Sequence, residues 1–178
     1  MAILNIITAP DPILRQKALP VDSVDDLIRK LMDDMLLTMY DDEGVGLAAN
    51  QVGVAKRLLV VDLQDTVEKE EEDREQNIFP LFIANPEIID VSEELVLAVE
   101  GCLSLPGEKM EIARAAHITL KFIDYNNISQ QMFFEGWLAR VIQHEMDHLD
   151  GKLLVDYLSK IKKDTALRRL KKLKKNCL

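Results

Sequence analysis

A His-Glu-x-x-His motif at residues 144–148 constrains the fold of this chain more than any other feature of its sequence. It lies within 136–149, where apolar residues recur at helical spacing. Residues i and i+4 of a helix project from one face, so His144 and His148 can reach the same metal ion. Glu145 lies beside them, where it can take a proton from a metal-bound water. The motif therefore predicts a metal-carrying helix, although chance matches with two packed histidines also occur.

A metal site on this helix needs a third ligand, and the usual sequence positions for one are absent. No Glu follows His148 anywhere in the chain, and no His follows it either. Cys102 is the main candidate, because a thiolate is a strong ligand for a borderline-soft divalent metal. The alternative role for a lone cysteine is that of a small buried hydrophobe. Asp150 and Asp156 could also be ligands, but each fits a cap or a surface role equally well.

Small residues form a second candidate segment at 44–53, Gly-Val-Gly-Leu-Ala-Ala-Asn-Gln-Val-Gly. Its Gly and Ala residues would let a substrate approach the backbone, and Gln51 offers an amide N–H to a carbonyl oxygen. Taken alone, the segment could equally be a flexible connection between a helix and a strand. Gly101, next to Cys102, likewise permits close approach or an unusual backbone dihedral.

Helices are predicted at three places along the chain. The first begins at a cap provided by Asp22 or Ser23 and runs to about Tyr40. The second covers 136–149, and the third is a basic amphipathic helix from about Ser159 onward. The apolar positions are Leu27, Leu31, Met35 and Met39 in the first helix, widened by Ile28, Met32 and Leu36, and Ile161, Leu167, Leu170 and Leu173 in the third.

Short strands are predicted between the first and second helices. The run Leu58–Val61 is typical of a buried strand, and 117–124 alternates with Ile118, Leu120 and Phe122 on one face. Further strands are predicted at 81–84, 87–91, 95–99 and 131–134, and a charged, mobile loop at 68–75. The pattern predicts a single compact α+β domain over 1–178, in which short, mostly antiparallel strands pack around the motif helix and 159–178 is a basic C-terminal helix.

Charge is distributed unevenly along the chain. Residues 152–178 contain ten Lys or Arg and two Asp, which gives +8 and leaves −17 for the rest of a chain whose net charge is −9. The acidic body repels nucleic acid, whereas the tail could contact it. Two cysteines, no signal peptide and no membrane-spanning run indicate the reducing cytoplasm, where Cys102 is a thiol free to bind metal.

Three segments together resemble the peptide deformylase family. The family carries Gly-x-Gly-x-Ala-Ala-x-Gln, Glu-Gly-Cys-Leu-Ser and His-Glu-x-x-His segments, which stand here at 44–51, 100–104 and 144–148. The resemblance covers about residues 3–160. One departure is Asn50, which stands where many members have Pro and affects only the stiffness of that loop.

The resemblance implies a hydrolase that removes the formyl group from the N-terminal formyl-methionine of newly made polypeptides and releases formate. Cys102, His144 and His148 would be the metal ligands, with Fe²⁺ as the native ion and Zn²⁺, Ni²⁺ or Co²⁺ able to replace it. A metal-bound hydroxide would attack the formyl carbon, with Glu145 as the general acid/base. Gln51 and the backbone N–H of Leu103 would stabilise the oxyanion.

The resemblance also implies a set of groups that surround the substrate. Gly46 would pair with the substrate backbone, and Trp137, larger than the usual aliphatic residue, would narrow the methionine pocket. Glu100 is similar to a family carboxylate that pairs with an arginine, for which Arg114 is the candidate. The substrate-binding residues would be Val45, Gly46, Gly101, Trp137 and Val141.

Two other functions fit parts of the sequence. One is a different zinc amidase or peptidase, and the other is a non-catalytic module with a structural metal and a tail that docks on ribosomal RNA. A closed structural zinc site has four protein ligands, and only three are identifiable here, which favours an open catalytic position. Within the family the C-terminal helix is associated with the ribosome, which the charge of the tail fits; a solvated helix is the alternative. No membrane or DNA partner is expected.

Overall fold

Three α-helices and seven β-strands form the described part of the chain, residues 2–63 and 79–176 of a computed structural model. The elements are α1 (Asp26–Asp41), β1 (Gly46–Ala48), β2 (Leu58–Val61), β3 (Leu81–Val91), β4 (Leu95–Gly101), β5 (Lys109–Ala115), β6 (His117–Ile123), β7 (Ser129–Glu135), α2 (Gly136–Leu149) and α3 (Lys160–Asn176). The α+β prediction, with antiparallel strands around the motif helix, is confirmed. The charge run predicted as a loop at 68–75 lies outside the described residues.

Helix α1 begins later than the sequence pattern indicated. Its N-cap is Asp25, whose carboxylate accepts a hydrogen bond from the backbone N–H three residues on, so the predicted caps Asp22 and Ser23 are wrong. The side chain of Asn127 accepts the backbone N–H of Val24 at 2.8 Å. This tertiary contact holds the segment before Asp25 outside the helix.

The buried face of α1 is also rotated from the predicted one. Ile28, Met32, Met35 and Met39 are buried, whereas Leu27 is 78% exposed, so its predicted core position is wrong. The buried residues recur at helical spacing and pack on one side of β2. The helix therefore covers one face of the strand that runs through the middle of the core.

The main sheet has the order β1-β2-β3-β6-β7, and every neighbouring pair in it is antiparallel. Strand β2, predicted correctly, is buried on both faces: Leu58 and Val60 pack towards α1, and Leu59 and Val61 towards α2. The sheet thus lies between the two helices. The predicted inward residues of β6 are buried and pack in the same cluster as α2.

Strand β3 is one continuous strand where the sequence predicted two, at 81–84 and 87–91. Its pairing with β6 shifts register between Ala84 and Glu87, and Asn85 there has a positive φ of 51°. Pro86 has no N–H to donate to the ladder, so the pairing is interrupted at a bulge without ending the strand.

Strands β4 and β5 form a separate two-stranded hairpin, with Glu100 opposite Met110. The prediction of β4 stopped at residue 99, and β5 was not predicted at all. Charged residues interrupt the apolar pattern of β5. One of them, Arg114, is buried in an ion pair, which a pattern of hydrophobic residues cannot predict. The hairpin matters because β4 leads directly into Cys102.

Helix α3 packs through fewer residues than its amphipathic pattern suggested. Ala166 and Leu170 are buried, but Ile161 is 81% and Leu173 is 48% exposed. The prediction that Ile161 and Leu173 belong to the packed apolar face is therefore wrong. Their exposure follows from the position of α3 at the edge of the core, where only one side of its central turns meets other side chains. None of the helices in the described residues is long and apolar enough to span a membrane.

Candidate active site

Three potential metal ligands converge from two elements. His144 and His148 lie one turn apart on α2, and Cys102 follows the end of β4. Their ligand atoms all lie within 4.8 Å of one another, and the Cys102 Sγ is 3.2 Å from the His148 Nε2. The structure therefore brings together the three residues that the sequence singled out as ligands.

The chemistry of these three residues fits a divalent metal ion. The Nδ1 atom of His144 lies 2.9 Å from the Oε2 of Glu100, so a neutral ring that donates this proton keeps its Nε2 lone pair free. A thiolate and two imidazoles suit iron or zinc, and three protein ligands leave an open position. No described residue completes the cluster as a fourth ligand: Asp150 pairs with Arg57.

Glu100 is the centre of a buried network of charges. Arg114 donates two hydrogen bonds to its carboxylate, at 2.6 Å and 2.9 Å, as the resemblance implied. Arg140, which the sequence analysis missed, donates a third at 2.6 Å. Burial opposes the charged form of Glu100, but hydrogen bonds with His144 and Arg114 outweigh it and lower its pKa to about 2. The carboxylate is therefore a charged partner for His144, one of the candidate ligands.

Glu145 has the environment of a proton-transferring group. Its side chain is buried and lines the cavity beside the histidines, and its Oε2 has no hydrogen-bond partner among the described residues. Burial, the largest effect, raises its pKa to about 7, and the smaller opposing effects of Arg114 and of His144 in its protonated, metal-free form only partly offset this. A carboxyl that titrates near neutrality can both accept and release a proton.

The amide of Gln51 is held in a defined orientation. Its Oε1 accepts the backbone N–H of Ala48 at 2.8 Å, so its Nε2 points towards Ser104 Oγ at 3.2 Å and Cys102 Sγ at 3.8 Å. The backbone N–H of Leu103 is not accepted by any described residue. Two N–H donors thus stand next to the candidate metal ligands. Neither the Ser104 contact nor the buried position of Ser104 was expected from the sequence.

A cavity of about 690 Å³ joins these groups. This volume is within the range of typical small-molecule binding sites. Its lining includes every predicted substrate-binding residue, namely Val45, Gly46, Gly101, Trp137 and Val141. It also includes Arg140, whose guanidinium carbon lies 6.0 Å from the centre of the Trp137 ring.

Gly46 lies where a side chain would collide with Glu145. A Cβ atom there would stand 2.6 Å from Glu145 Oε1 and 2.8 Å from Val141 Cγ1. Gly101 differs, because a Cβ there would meet nothing within 4 Å. The requirement for glycine is therefore steric at position 46, and the open space at Gly101 leaves room for a ligand.

Arg140 and Asp147 are the main site residues that sequence reasoning missed. Asp147 accepts hydrogen bonds from Arg114 at 2.9 Å and from the Tyr157 hydroxyl at 2.7 Å. Both missed residues lie on α2 at helical spacing from His144. The only sequence signal for their role was their position as charged residues on the face of the helix that the motif predicts to be buried. Such residues are rarely buried unless they are paired.

Comparisons with known proteins agree with this geometry. The family model described as polypeptide deformylase matches residues 3–164. A peptide deformylase of Rickettsia akari is 54% identical over 176 residues, which are 99% of each chain. The crystal structure of peptide deformylase from Ehrlichia chaffeensis has a TM-score of 0.90 and 43% identity, with 98% of both chains covered. A second Ehrlichia chaffeensis structure, in complex with actinonin, has a TM-score of 0.88, 44% identity and coverage of 97% of this chain and 98% of that one. The chain therefore belongs to the polypeptide deformylase family and is a hydrolase.

Proposed function

We propose that this enzyme removes the formyl group from the N-terminal formyl-methionine of newly made polypeptides. Water supplies the oxygen that bonds to the formyl carbon, the carbon–nitrogen bond breaks, and formate and a free amine result. The observation that carries this proposal is the convergence of the ligand cluster, Glu145 and the Gln51 amide on one cavity in a member of this family.

Cys102, His144 and His148 would hold a divalent ion, which we propose is Fe²⁺, with Zn²⁺, Ni²⁺ or Co²⁺ able to replace it. When bound, such an ion supplies Lewis acidity that lowers the pKa of a coordinated water. The cluster is suited to this because its cysteine is half-buried and its histidines are buried.

Glu145 is the general acid/base of the proposed reaction. Its unpartnered Oε2 accepts the proton of the attacking water and then delivers it to the leaving nitrogen. A pKa of about 7 suits both steps, because neither protonation state is strongly favoured at neutral pH.

The Gln51 amide and the Leu103 N–H stabilise the oxyanion that develops on the formyl oxygen. Preorganised donors of this kind are each worth about 3 kcal/mol. Ser104 and Ala48 hold the Gln51 amide in place before substrate arrives, so no reorganisation is needed during the reaction.

The peptide lies extended along the hairpin, with its first side chain in the cavity. Strand β4 pairs only with β5 among the described strands, so its other edge can pair with an added strand. Gly46 and Gly101 let the substrate backbone approach, and Val45, Trp137 and Val141 provide the apolar wall for methionine. The indole of Trp137 narrows the part of the cavity that receives the methionine side chain.

The first experiment is formate release from formyl-Met-Ala-Ser, using protein purified without oxygen and loaded with Fe²⁺ or Zn²⁺. We expect turnover that chelation abolishes and that Glu145→Gln reduces by at least about 100-fold, with metal binding retained. The matched control is Glu111→Gln, an exposed carboxylate on β5. Cleavage of unformylated peptides, or wild-type turnover by Glu145→Gln, would contradict the proposal.

We also propose that the enzyme works in the cytoplasm and contacts the ribosome through α3. The helix carries exposed lysines and arginines on a chain that is otherwise acidic, and ribosomal RNA is a polyanion. This placement would bring the active site to nascent chains. A solvated helix without a partner is the alternative.

A further inference from the structure

Arg140 is a buried arginine on α2 that the proposed mechanism does not use. It precedes His144 by one helical turn, and its side chain is only 5% exposed. A guanidinium removed from water in this way needs several partners to offset its desolvation. Where those partners lie indicates what the residue does.

The partners of Arg140 come from both strands of the β4–β5 hairpin. Its Nη1 donates to Glu100 Oε1 at 2.6 Å and to the carbonyl of Ile112 at 2.9 Å, and its Nη2 donates to the carbonyl of Val96. Val96 and Glu100 belong to β4, and Ile112 belongs to β5. Within residues 2–63 and 79–176, no other side chain of α2 donates to both strands.

This contact joins the two elements that carry the candidate ligands. Two ligands, His144 and His148, lie on α2, but Cys102 lies in the connection between the two hairpin strands, two residues after Glu100. The separation between the thiol and the imidazoles is therefore set by how the hairpin sits on the helix. We propose that Arg140 is a positioning residue that fixes the hairpin on α2 and thereby places Cys102 against His144 and His148. This inference rests on the ligand set of the proposed function.

Charge alone does not account for the arrangement. Glu100 already has a two-point ion pair with Arg114, so a second cation is not needed to neutralise it. Two of the three hydrogen bonds of Arg140 go to backbone carbonyls, which carry no net charge. The planar fork of arginine can reach a carboxylate and two carbonyls in fixed directions, and a lysine ammonium cannot reproduce that fork.

The test compares Arg140→Met and Arg140→Lys with the wild type, all loaded with Co²⁺. Affinity is measured by competition with a chelator, and the visible spectrum reports ligand geometry and the thiolate–cobalt band. We expect Co²⁺ affinity to fall by about 10–100-fold in Arg140→Met, the range for lost groups that orient ligands, with a changed cobalt spectrum. Arg140→Lys keeps the charge and should show a smaller loss with a spectral change in the same direction.

A matched control separates positioning from a general loss of stability. Arg57 also bridges distant segments, through Asp150 at 2.8 Å and the carbonyl of Pro86, but does not touch the hairpin. Arg57→Met should lose stability while its Co²⁺ affinity and spectrum stay those of the wild type. Urea unfolding of each variant establishes that the measured protein is folded.

The outcomes are distinct from those of the formate assay, because Co²⁺ binding needs no formylated substrate. A folded Arg140→Met with affinity within about threefold of the wild type, well below the loss expected for an orienting group, and an unchanged spectrum would overturn the inference. If Arg140→Met does not fold, Arg140→Lys takes its place. A folded Arg140→Lys with wild-type Co²⁺ affinity and an unchanged spectrum would then overturn the inference. A wild type that binds Co²⁺ but releases no formate would overturn only the proposed function.

Discussion

The Oε2 atom of Glu100 lies 2.9 Å from the Nδ1 atom of His144, and the same carboxylate accepts hydrogen bonds from Arg114. The orientation of a candidate metal ligand on α2 is therefore tied to a buried ion pair within the β4–β5 hairpin. Charged groups in such a network are costly to leave without a partner, because water cannot reach them. The network thus links the stability of the fold to the geometry of the site.

Replacing Glu100 tests this link directly. Glu100→Gln removes the fully buried carboxylate partner of Arg114 and leaves it only the half-buried Asp147, so we expect a loss of about 3–5 kcal/mol in the free energy of unfolding. Metal affinity should also fall, because the amide no longer fixes the ring of His144. Urea unfolding and chelator competition measure the two effects. Glu111→Gln, an exposed substitution in the same hairpin, should change stability by less than about 0.5 kcal/mol.

Two glycines of the cavity make a second, paired test. Gly46→Ala places a methyl group 2.6 Å from Glu145 Oε1, so Glu145 must move. We expect a loss of about 1–3 kcal/mol in stability from overpacking and a fall of about 100-fold in kcat/KM for formyl-Met-Ala-Ser from the displacement of Glu145, the proposed general base. Gly101→Ala meets nothing within 4 Å and should keep wild-type stability. Equal stability losses at both positions would contradict this steric account.

A third prediction concerns pH and the attachment of α3. Asp156 accepts hydrogen bonds from Arg15 and from Lys163 of α3. Burial raises the pKa of Asp156, but hydrogen bonds from these two cations outweigh it and lower the pKa to about 2. Because the folded-state pKa is lowered, the stabilisation is complete above pH 4–5, the ordinary carboxyl range, and is lost as pH falls towards 2.

Asp156→Asn should therefore cost about 1 kcal/mol of unfolding free energy at pH 6 and progressively less between pH 4 and pH 2. Urea unfolding of both proteins across this range measures the difference. Asp164→Asn, an exposed change on α3, is the control and should differ little from the wild type at any pH. If the difference in unfolding free energy between the wild type and Asp156→Asn stayed constant down to pH 2, it would not depend on the ionisation of Asp156, which would contradict the prediction.

The sequence predicted those parts of the fold that are governed by hydrophobic periodicity. Helix α2 and strand β2 have the predicted bounds, because both are buried on the faces that their apolar residues indicate. The candidate ligands Cys102, His144 and His148 were identifiable because metal chemistry requires particular residue types. These features depend on local pattern and on side-chain chemistry, both of which a sequence displays.

Features that depend on tertiary contacts were not predictable in the same way. The start of α1 is set by Asn127, which is distant in sequence from the helix that it delays. Arg140 and Asp147 are charged residues that sequence patterns assign to the surface, yet both belong to the network around Glu100. The burial of Arg140 and the partial burial of Asp147 depend on partners that only the folded chain brings together.

The last prediction concerns the surface of α3. Several basic side chains of this helix are exposed, and Ala166 and Leu170 hold the helix on the core from the opposite side. Charge can therefore be removed from the helix without disturbing its packing. The substitutions chosen are Lys160→Gln, Lys162→Gln and Lys171→Gln. A matched control removes the same charge from the exposed body residues Lys17, Lys56 and Lys121.

If α3 contacts ribosomal RNA, the triple variant should bind ribosomes more weakly and with a shallower salt dependence. Each lost phosphate contact reduces the slope of log K against log salt by about 0.7–0.9, so three lysines correspond to a change of about 2. Cosedimentation with ribosomes at several salt concentrations measures this slope. Formate release from a free formylated tripeptide should be unchanged, because none of the three lysines lines the cavity. Equal slopes for the helix variant and the body control would instead indicate that α3 is a solvated helix and that any attraction is non-specific.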